Sequence, residues 1–427
     1  MSVTSITNRT TRTVAGFSWS LALGCFAAAA SSMPRLVAQG GYDTPTTFTA
    51  TGLLGAAGVK APNYQIADAV RTEQYFHQFA IASTYGSFVA IGRTQLAVRL
   101  QEIAALAALE DVSKTEVFLA AAGQSVVNVG KGAAAVVTDP AGTAKGIGAG
   151  VKRFGVNLGR RTERAVESAT DEKSGEGGAG GAAGSAAGSV LGVNAAMRQW
   201  AQKVGVDPYT TNTVLRKALE DIAQVDAAGS IATKVAVPIP GVVGMTSTVG
   251  GIVWGKDPEE VRKLNEETLR TLKVTDDVAT ALFGNPWFTL TYQTRLALAL
   301  GAVPVAGVAD YVQTASGAGS EREALFFVES AEMLQAVHAR EKVSGILPDS
   351  RALVAAASGG RARALLPLDW LPWTAETRKA LTQMAARSRQ ELKAARLEMA
   401  LTGRQSGRAR QEIPKIGWTA VPAEMRR

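Results

Sequence analysis

The sequence predicts a mainly α protein, built of Ala/Gly-rich helical domains with one small β-hairpin in the N-terminal region. Three observations lead there. Hydrophobic residues make up 46% of the 427 positions but aromatics only 6%, so the core is assembled from small side chains that favour close helix packing. Apolar residues recur at helical spacing over several long stretches. Helix-start signals then repeat along the C-terminal half.

At the N-terminus Arg9 and Arg12 precede an uncharged run from Val14 to Ala30, followed by small residues, Pro34 and the step Leu36-Val37-Ala38. This layout predicts a secretory signal peptide over residues 1–38, cut after Ala38 or after Ala30. An uncleaved anchor is the alternative reading, because a run of about 17 residues sits at the lower limit for spanning a bilayer. Cys25, after Ala22-Leu23-Gly24, matches a lipoprotein cleavage site poorly, since apolar sequence follows where a polar tether belongs. Cleavage after Ala38 removes this single cysteine, and with it any disulfide or thiol chemistry. It also removes Arg9, Arg12 and Arg35 but no acidic residue, lowering the formal charge of +8 while leaving it positive. Such an excess suits anionic lipid or cell-wall polymer, and export argues against nucleic acid as a partner. The expected location is the periplasm or cell envelope of a bacterium.

The clearest boundary downstream is the tract SGEGGAGGAAGSAAGS, residues 174–189, which has too little apolar surface to fold and reads as a flexible linker. It separates an N-terminal hairpin-plus-helix region, 39–173, from a C-terminal helical domain, 190–427. In the first region two β-prone runs flank Thr84-Tyr85-Gly86-Ser87 and predict a hairpin. Leu96, Leu100, Ile103 and Leu106 then mark a helix that covers it. A second helix is expected through 114–137, and a third opens at Asp139-Pro140, a cap residue followed by proline in the first turn. In the second region Asp257-Pro258-Glu259-Glu260 and the capping box Ser320-Glu321-Arg322-Glu323 start further helices. A last long helix is expected over 375–401, with Leu381, Ala385, Ser388, Leu392, Ala395 and Met399 on one face.

The third helix carries the strongest candidate surface. Ile147, Val151, Phe154 and Leu158 fall on one stripe, and Lys145, Lys152, Arg153 and Arg160, with Arg161, gather on roughly the other side. That form suits an interfacial helix, whose cations meet anionic headgroups while its stripe enters the acyl boundary. It suits equally a surface helix of a globular domain. Two apolar stretches, Val235–Trp254 and Leu296–Ala309, read as buried small-residue segments of a core. A membrane-inserting hairpin is their alternative, opposed by Pro238 and Pro240 in the first and by the shortness of the second.

The search for catalytic chemistry is mostly negative. Two histidines, His77 and His338, leave no multi-histidine metal site, and His77 reads as a structural or surface residue of a strand. No cofactor is expected: the VGKG at Val129–Gly132 lacks the Ser or Thr and the first glycine of a phosphate loop. Gly175, Gly177 and Gly180 match a dinucleotide spacing inside a linker, with no strand before them. Glu329 and Glu332 are the least weak catalytic candidates. They share a helix with His338, which projects roughly opposite Glu329, so they read as a polar flank. Trp370 and Trp373, set among prolines, cap the core or offer a surface to a partner.

The functional expectation is an exported envelope protein acting by binding or scaffolding, its partner an anionic membrane surface or an envelope protein. A carboxylate-based hydrolase of an envelope polymer and a membrane-inserting effector are the alternatives.

Overall fold

The computed structural model describes residues 41–115, 118, 181–226 and 243–423. It contains far more sheet than one hairpin. The chain runs β1 (Phe48–Thr49), α1 (Ala50–Leu54), β2 (Lys60–Ala61), β3 (Tyr64–Ile66), β4 (Ala69–Glu73), β5 (Phe76–Ser83), β6 (Gly86–Ile91) and α2 (Arg93–Ser113). Helices α3 (Gly181–Lys203), α4 (Thr213–Val225), α5 (Ser247–Gly255), α6 (Pro258–Thr271), α7 (Asp276–Gly284), α8 (Leu290–Gly301), α9 (Val308–Ser316) and α10 (Glu321–Arg340) follow. The C-terminal part is β7 (Val343–Ile346), β8 (Leu353–Ala357), β9 (Arg361–Leu366), β10 (Trp370–Leu371), α11 (Ala375–Glu391), β11 (Arg396–Leu401), β12 (Arg404–Gln405), α12 (Gly407–Glu412) and β13 (Trp418–Pro422).

The expected hairpin is there, with β5 and β6 antiparallel around a Thr84-Tyr85 turn. It is the centre of a six-stranded antiparallel sheet rather than a lone element, because β4 and β3 pair along the other edge of β5. A second, five-stranded sheet has the order β13-β11-β9-β8-β7, with β9, β11 and β13 parallel and β8 antiparallel to its neighbours. These findings correct the mainly α expectation, and the reason is local. The central strands β8 and β9 are covered on both faces, so LVAAA and RARALL show neither the alternation nor the β-branched enrichment of a half-buried strand. Leu353, Ala355 and Leu365 face a core built with α8, α9 and α10, whereas Val354, Ala362, Ala364 and Leu366 face one built with α11 and α12.

The long helix expected over 375–401 is likewise corrected. It stops at Glu391, Lys393 adopts a left-handed φ of 53°, and β11 begins at Arg396. Leu381, Ala385 and Ser388 are the buried face that the spacing foretold, but Met399 belongs to a strand. Pairing of β11 with both β9 and β13 outweighs the helix propensity of KAARLEMA, as tertiary context does when a strand is central. The tract expected as linker is helical from Gly181, consistent with its run of alanines. Helices α3 and α4 beyond it complete the core of the N-terminal sheet: Trp200, Leu215, Leu219 and Ile222 pack with Phe79, Ile81, Ile103 and Leu106.

The start signals hold where they can be seen. Ser320 Oγ accepts the Glu323 N–H, and the Glu323 carboxylate reaches back to Gly319 N. Pro258 occupies the first turn of α6 and Asp257 its N-cap position, but the Asp257 carboxylate makes no capping hydrogen bond and pairs with Arg198 instead. The helix expected from Asp139 lies outside the described residues.

One joint fastens the N-terminal sheet to the C-terminal part. The β4–β5 turn places Gln74 and Tyr75 at positive φ, 47° and 76°, a conformation normally left to Asn-Gly and costly for other side chains. Tyr75 O accepts the N–H groups of Asp369 and Trp370 at 3.1 and 3.0 Å. In return the Asp369 carboxylate accepts from His77 N at 2.9 Å and from Arg93 N, in the first turn of α2, at 3.3 Å. Asp369→Ala is therefore expected to lower unfolding free energy by about 2–3 kcal/mol, since it orphans a buried N–H and removes a helix-start anion. Urea denaturation checks this, and an unchanged midpoint would show that the joint contributes nothing.

Candidate functional site

The loop between α3 and α4, Gly205-Val206-Asp207-Pro208-Tyr209-Thr210-Thr211-Asn212, gathers a cluster of buried polar groups, Arg99, Glu102, Thr210, Asn212 and Thr291 among them. Asn212 caps α4, its Oδ1 accepting from Val214 N and Leu215 N, and its Nδ2 donates to Glu102 at 2.9 Å. Thr210 Oγ1 donates to the other oxygen of Glu102. Arg99, one helical turn before Glu102 on α2, completes that carboxylate with a 2.7 Å ion pair. The same guanidinium donates to Thr211 Oγ1 at 2.7 Å and to Glu321 at 3.2 Å. Glu321 also accepts from Thr211 at 2.8 Å and from Tyr292 OH at 3.4 Å. Four helices and one loop thus meet in a single network of charge-assisted hydrogen bonds.

Above this network opens a cleft, lined among others by Arg99, Glu102, Asp207, Tyr292, Arg295 and Glu321, with about 40 Å³ that water-sized molecules can occupy. That is room for a few waters and too little for a bulky substrate. Asp207 accepts from Tyr209 N at 2.8 Å and Thr291 Oγ1 at 2.6 Å. Burial nonetheless pushes its pKa up to about 6, and the nearby charge of Glu102 adds to the rise. Burial, and next the Glu321 carboxylate, hold the Tyr292 phenol well above its ordinary value.

Because the folded state binds the Asp207 proton more tightly than the unfolded chain does, this residue favours folding at acid pH and opposes it as pH rises through about 6. Asp207→Asn is expected to remove that slope. Relative to wild type it gains on the order of 1–3 kcal/mol between pH 4 and pH 7, measured by chemical denaturation across that range. Parallel pH profiles for the two proteins would show that Asp207 titrates normally.

The residues singled out by sequence are distributed differently. Lys145, Ile147, Val151, Lys152, Arg153, Phe154, Leu158, Arg160 and Arg161 lie outside the described residues. Glu329 and Glu332 do not form a pair with a free face: Glu329 is buried against Arg322, and Glu332 takes a bidentate grip from Arg295, at 2.8 and 2.9 Å. His338 Nδ1 accepts Val343 N at 3.2 Å and closes the turn from α10 into β7. His77 is buried in β5, its Nδ1 at 2.7 Å from Thr72 Oγ1 and its ring against Phe48. Burial lowers its pKa, with Asp369 pulling the other way.

Trp373 is a core residue, 4% exposed, and so offers no surface to a partner; Trp370 is half-buried with its ring against Phe48. Leu296, Ala297, Ala299 and Leu300 are buried in α8 and Val303 and Val308 just beyond it, so this stretch makes no exposed hairpin. Of Val235–Trp254, the described part from Val243 docks on α2 through Val243 N and Gln101 Oε1, then enters the short helix α5.

Among the described residues no helix is long and apolar enough to cross a membrane, and no group of three or more His, Asp and Glu gathers to hold a metal ion. The polar loop itself was missed by sequence reading. Its signal was present as Asp-Pro followed by Thr-Thr-Asn, a turn pair and a helix cap, but the partners Arg99, Glu102 and Glu321 stand about 110 residues away on either side. Comparison with protein-family models, curated proteins and solved structures finds no match.

Proposed function

We propose that this chain is a binding or scaffolding protein of the bacterial cell envelope that works at an anionic surface. The observation that carries the reading is the division of charge. Carboxylates at the centre of the molecule, Glu102, Glu321, Glu329 and Glu332, are each engaged by arginine. Cations accumulate on the outside instead: residues 375–423 hold ten Lys or Arg against four Glu. Ion pairing takes these four carboxylates out of acid-base turnover, which needs a carboxyl group free to exchange a proton with substrate, and supports a rigid body instead. Asp207 is the cleft carboxyl with which no arginine forms an ion pair among the described residues. The arginine-flanked apolar run at the N-terminus supports the envelope as the place of action.

Co-sedimentation of the full chain with vesicles tests the reading. It predicts binding to phosphatidylglycerol-containing vesicles at low salt, loss of that binding in high salt, and none to phosphatidylcholine alone. No binding to anionic vesicles at low salt would overturn it.

A further inference from the structure

We infer that the outer face of α11 and α12 is the surface that docks on the membrane, and that its ligand is the array of phosphate headgroups of an anionic bilayer. The inference rests on the binding function proposed above and assigns it to residues. Helix α11, helix α12 and the 3-10 turn Ile413–Ile416 that continues α12 all cover one face of the C-terminal sheet. Leu381, Ala385, Ala409 and Ile413 share a core with Ala362, Ala364 and Met399. The Trp418 indole N–H donates to Leu381 O at 3.0 Å and locks the turn against α11. The opposite side of this layer faces solvent.

Its charge is nearly all of one sign. Arg389, Arg408 and Arg410 are exposed on it, with Lys393 and Arg404 exposed at its two ends. Among the described residues none of these five forms an ion pair. The acids that could offset them are accounted for: Glu391 is gripped by Arg387 and Glu412 by Lys415. Two acids remain: Glu376 stands in the first turn of α11, about 20 Å along the helix from Arg389, and exposed Asp349 lies beside Arg387, whose guanidinium donates to its backbone carbonyl. Arginine forks match phosphate oxygens in pairs.

The texture of the layer decides the class of partner. Exposed large apolar side chains among the described residues are Val89, Val243 and Trp287, all outside this layer. The face therefore offers no aromatic platform for stacking nucleic-acid bases and no apolar wedge for insertion. A cationic face of exposed arginines suits adsorption to a plane of headgroups, with attraction that fades within a Debye length.

The test compares two charge-matched variants of the full chain. One is Arg389→Glu/Arg408→Glu/Arg410→Glu; the other, Lys60→Glu/Arg71→Glu/Lys263→Glu, reverses three exposed cations elsewhere. Both are first shown to melt like wild type, which exposed substitutions permit. Each cation near an anionic bilayer is worth about a factor of five in binding, so the layer variant should lose at least about 100-fold on phosphatidylglycerol vesicles at low salt. The other variant should lose under threefold.

If the two variants lose equally, or the layer variant binds as wild type does, the assignment to α11 and α12 falls while the binding function stands. If wild type ignores vesicles, the binding function itself falls. A wild type that ignores vesicles yet retains an RNA oligonucleotide, in a manner lost by the layer variant, would make the partner a nucleic acid and overturn the lipid assignment.

Discussion

Replacing Glu102 by alanine is expected to cost about 3–5 kcal/mol of unfolding free energy, the range for removing one partner of a buried charge network. Glu102 is 2% exposed and receives three donors, from Arg99, Thr210 and Asn212. Its loss leaves the Arg99 guanidinium with Glu321 as its one carboxylate among the described residues, and strands the Thr210 hydroxyl proton and Asn212 Nδ2 where water enters poorly. Truncation also opens a cavity between α2 and the loop before α4, which adds to the cost. Glu102→Gln keeps the volume and one acceptor oxygen, so it should lose roughly half as much. Urea denaturation of the two variants beside wild type measures both, and the ordering matters more than the absolute values. If alanine proved no worse than an exposed control such as Glu73→Ala, the network would not be what joins these four helices.

That network shows where sequence reading succeeds and where it runs out. Elements whose signal is local were legible: the Thr84-Tyr85 hairpin, the Leu96-Ile103-Leu106 face of α2, the Ser320 cap of α10. Each depends on residues within a few positions of one another, so the pattern is complete in the sequence. The parallel strands β9, β11 and β13 were not legible, because their stability comes from neighbours far along the chain and their Ala-, Leu- and Arg-rich composition serves helices equally well. A clue did exist in Gly359-Gly360, both at positive φ, which turns β8 into β9. The Gln74-Tyr75 turn gave no clue at all, since nothing in those two side chains asks for a left-handed backbone. The cleft was unreadable for a related reason. Arg99, Asp207, Thr291 and Glu321 become neighbours only after four helices have packed, and singly each looks like an ordinary surface residue.

Glu329→Leu alone is expected to destabilise the protein by about 3–5 kcal/mol, whereas Arg322→Met/Glu329→Leu should stand within about 1 kcal/mol of wild type. Arg322 and Glu329 are both buried, two turns apart on α10, and pair directly. The guanidinium also lies 4.3 Å from the centre of the Phe76 ring, and its Nε has no hydrogen-bond partner. An arginine held this way is already costly to desolvate, and removing its one close carboxylate leaves a buried charge beside an aromatic ring. Replacing both members with apolar side chains of similar volume removes the charge instead, and Met can keep its contact with Phe76. The cycle therefore separates two roles for Glu329 that its place in the sequence leaves open. Strong coupling, with the double variant rescued, makes it the counter-ion of a structural arginine. A Glu329→Leu variant as stable as wild type would mean that the carboxylate is not needed where it sits, and Glu329 would return as a candidate for chemistry.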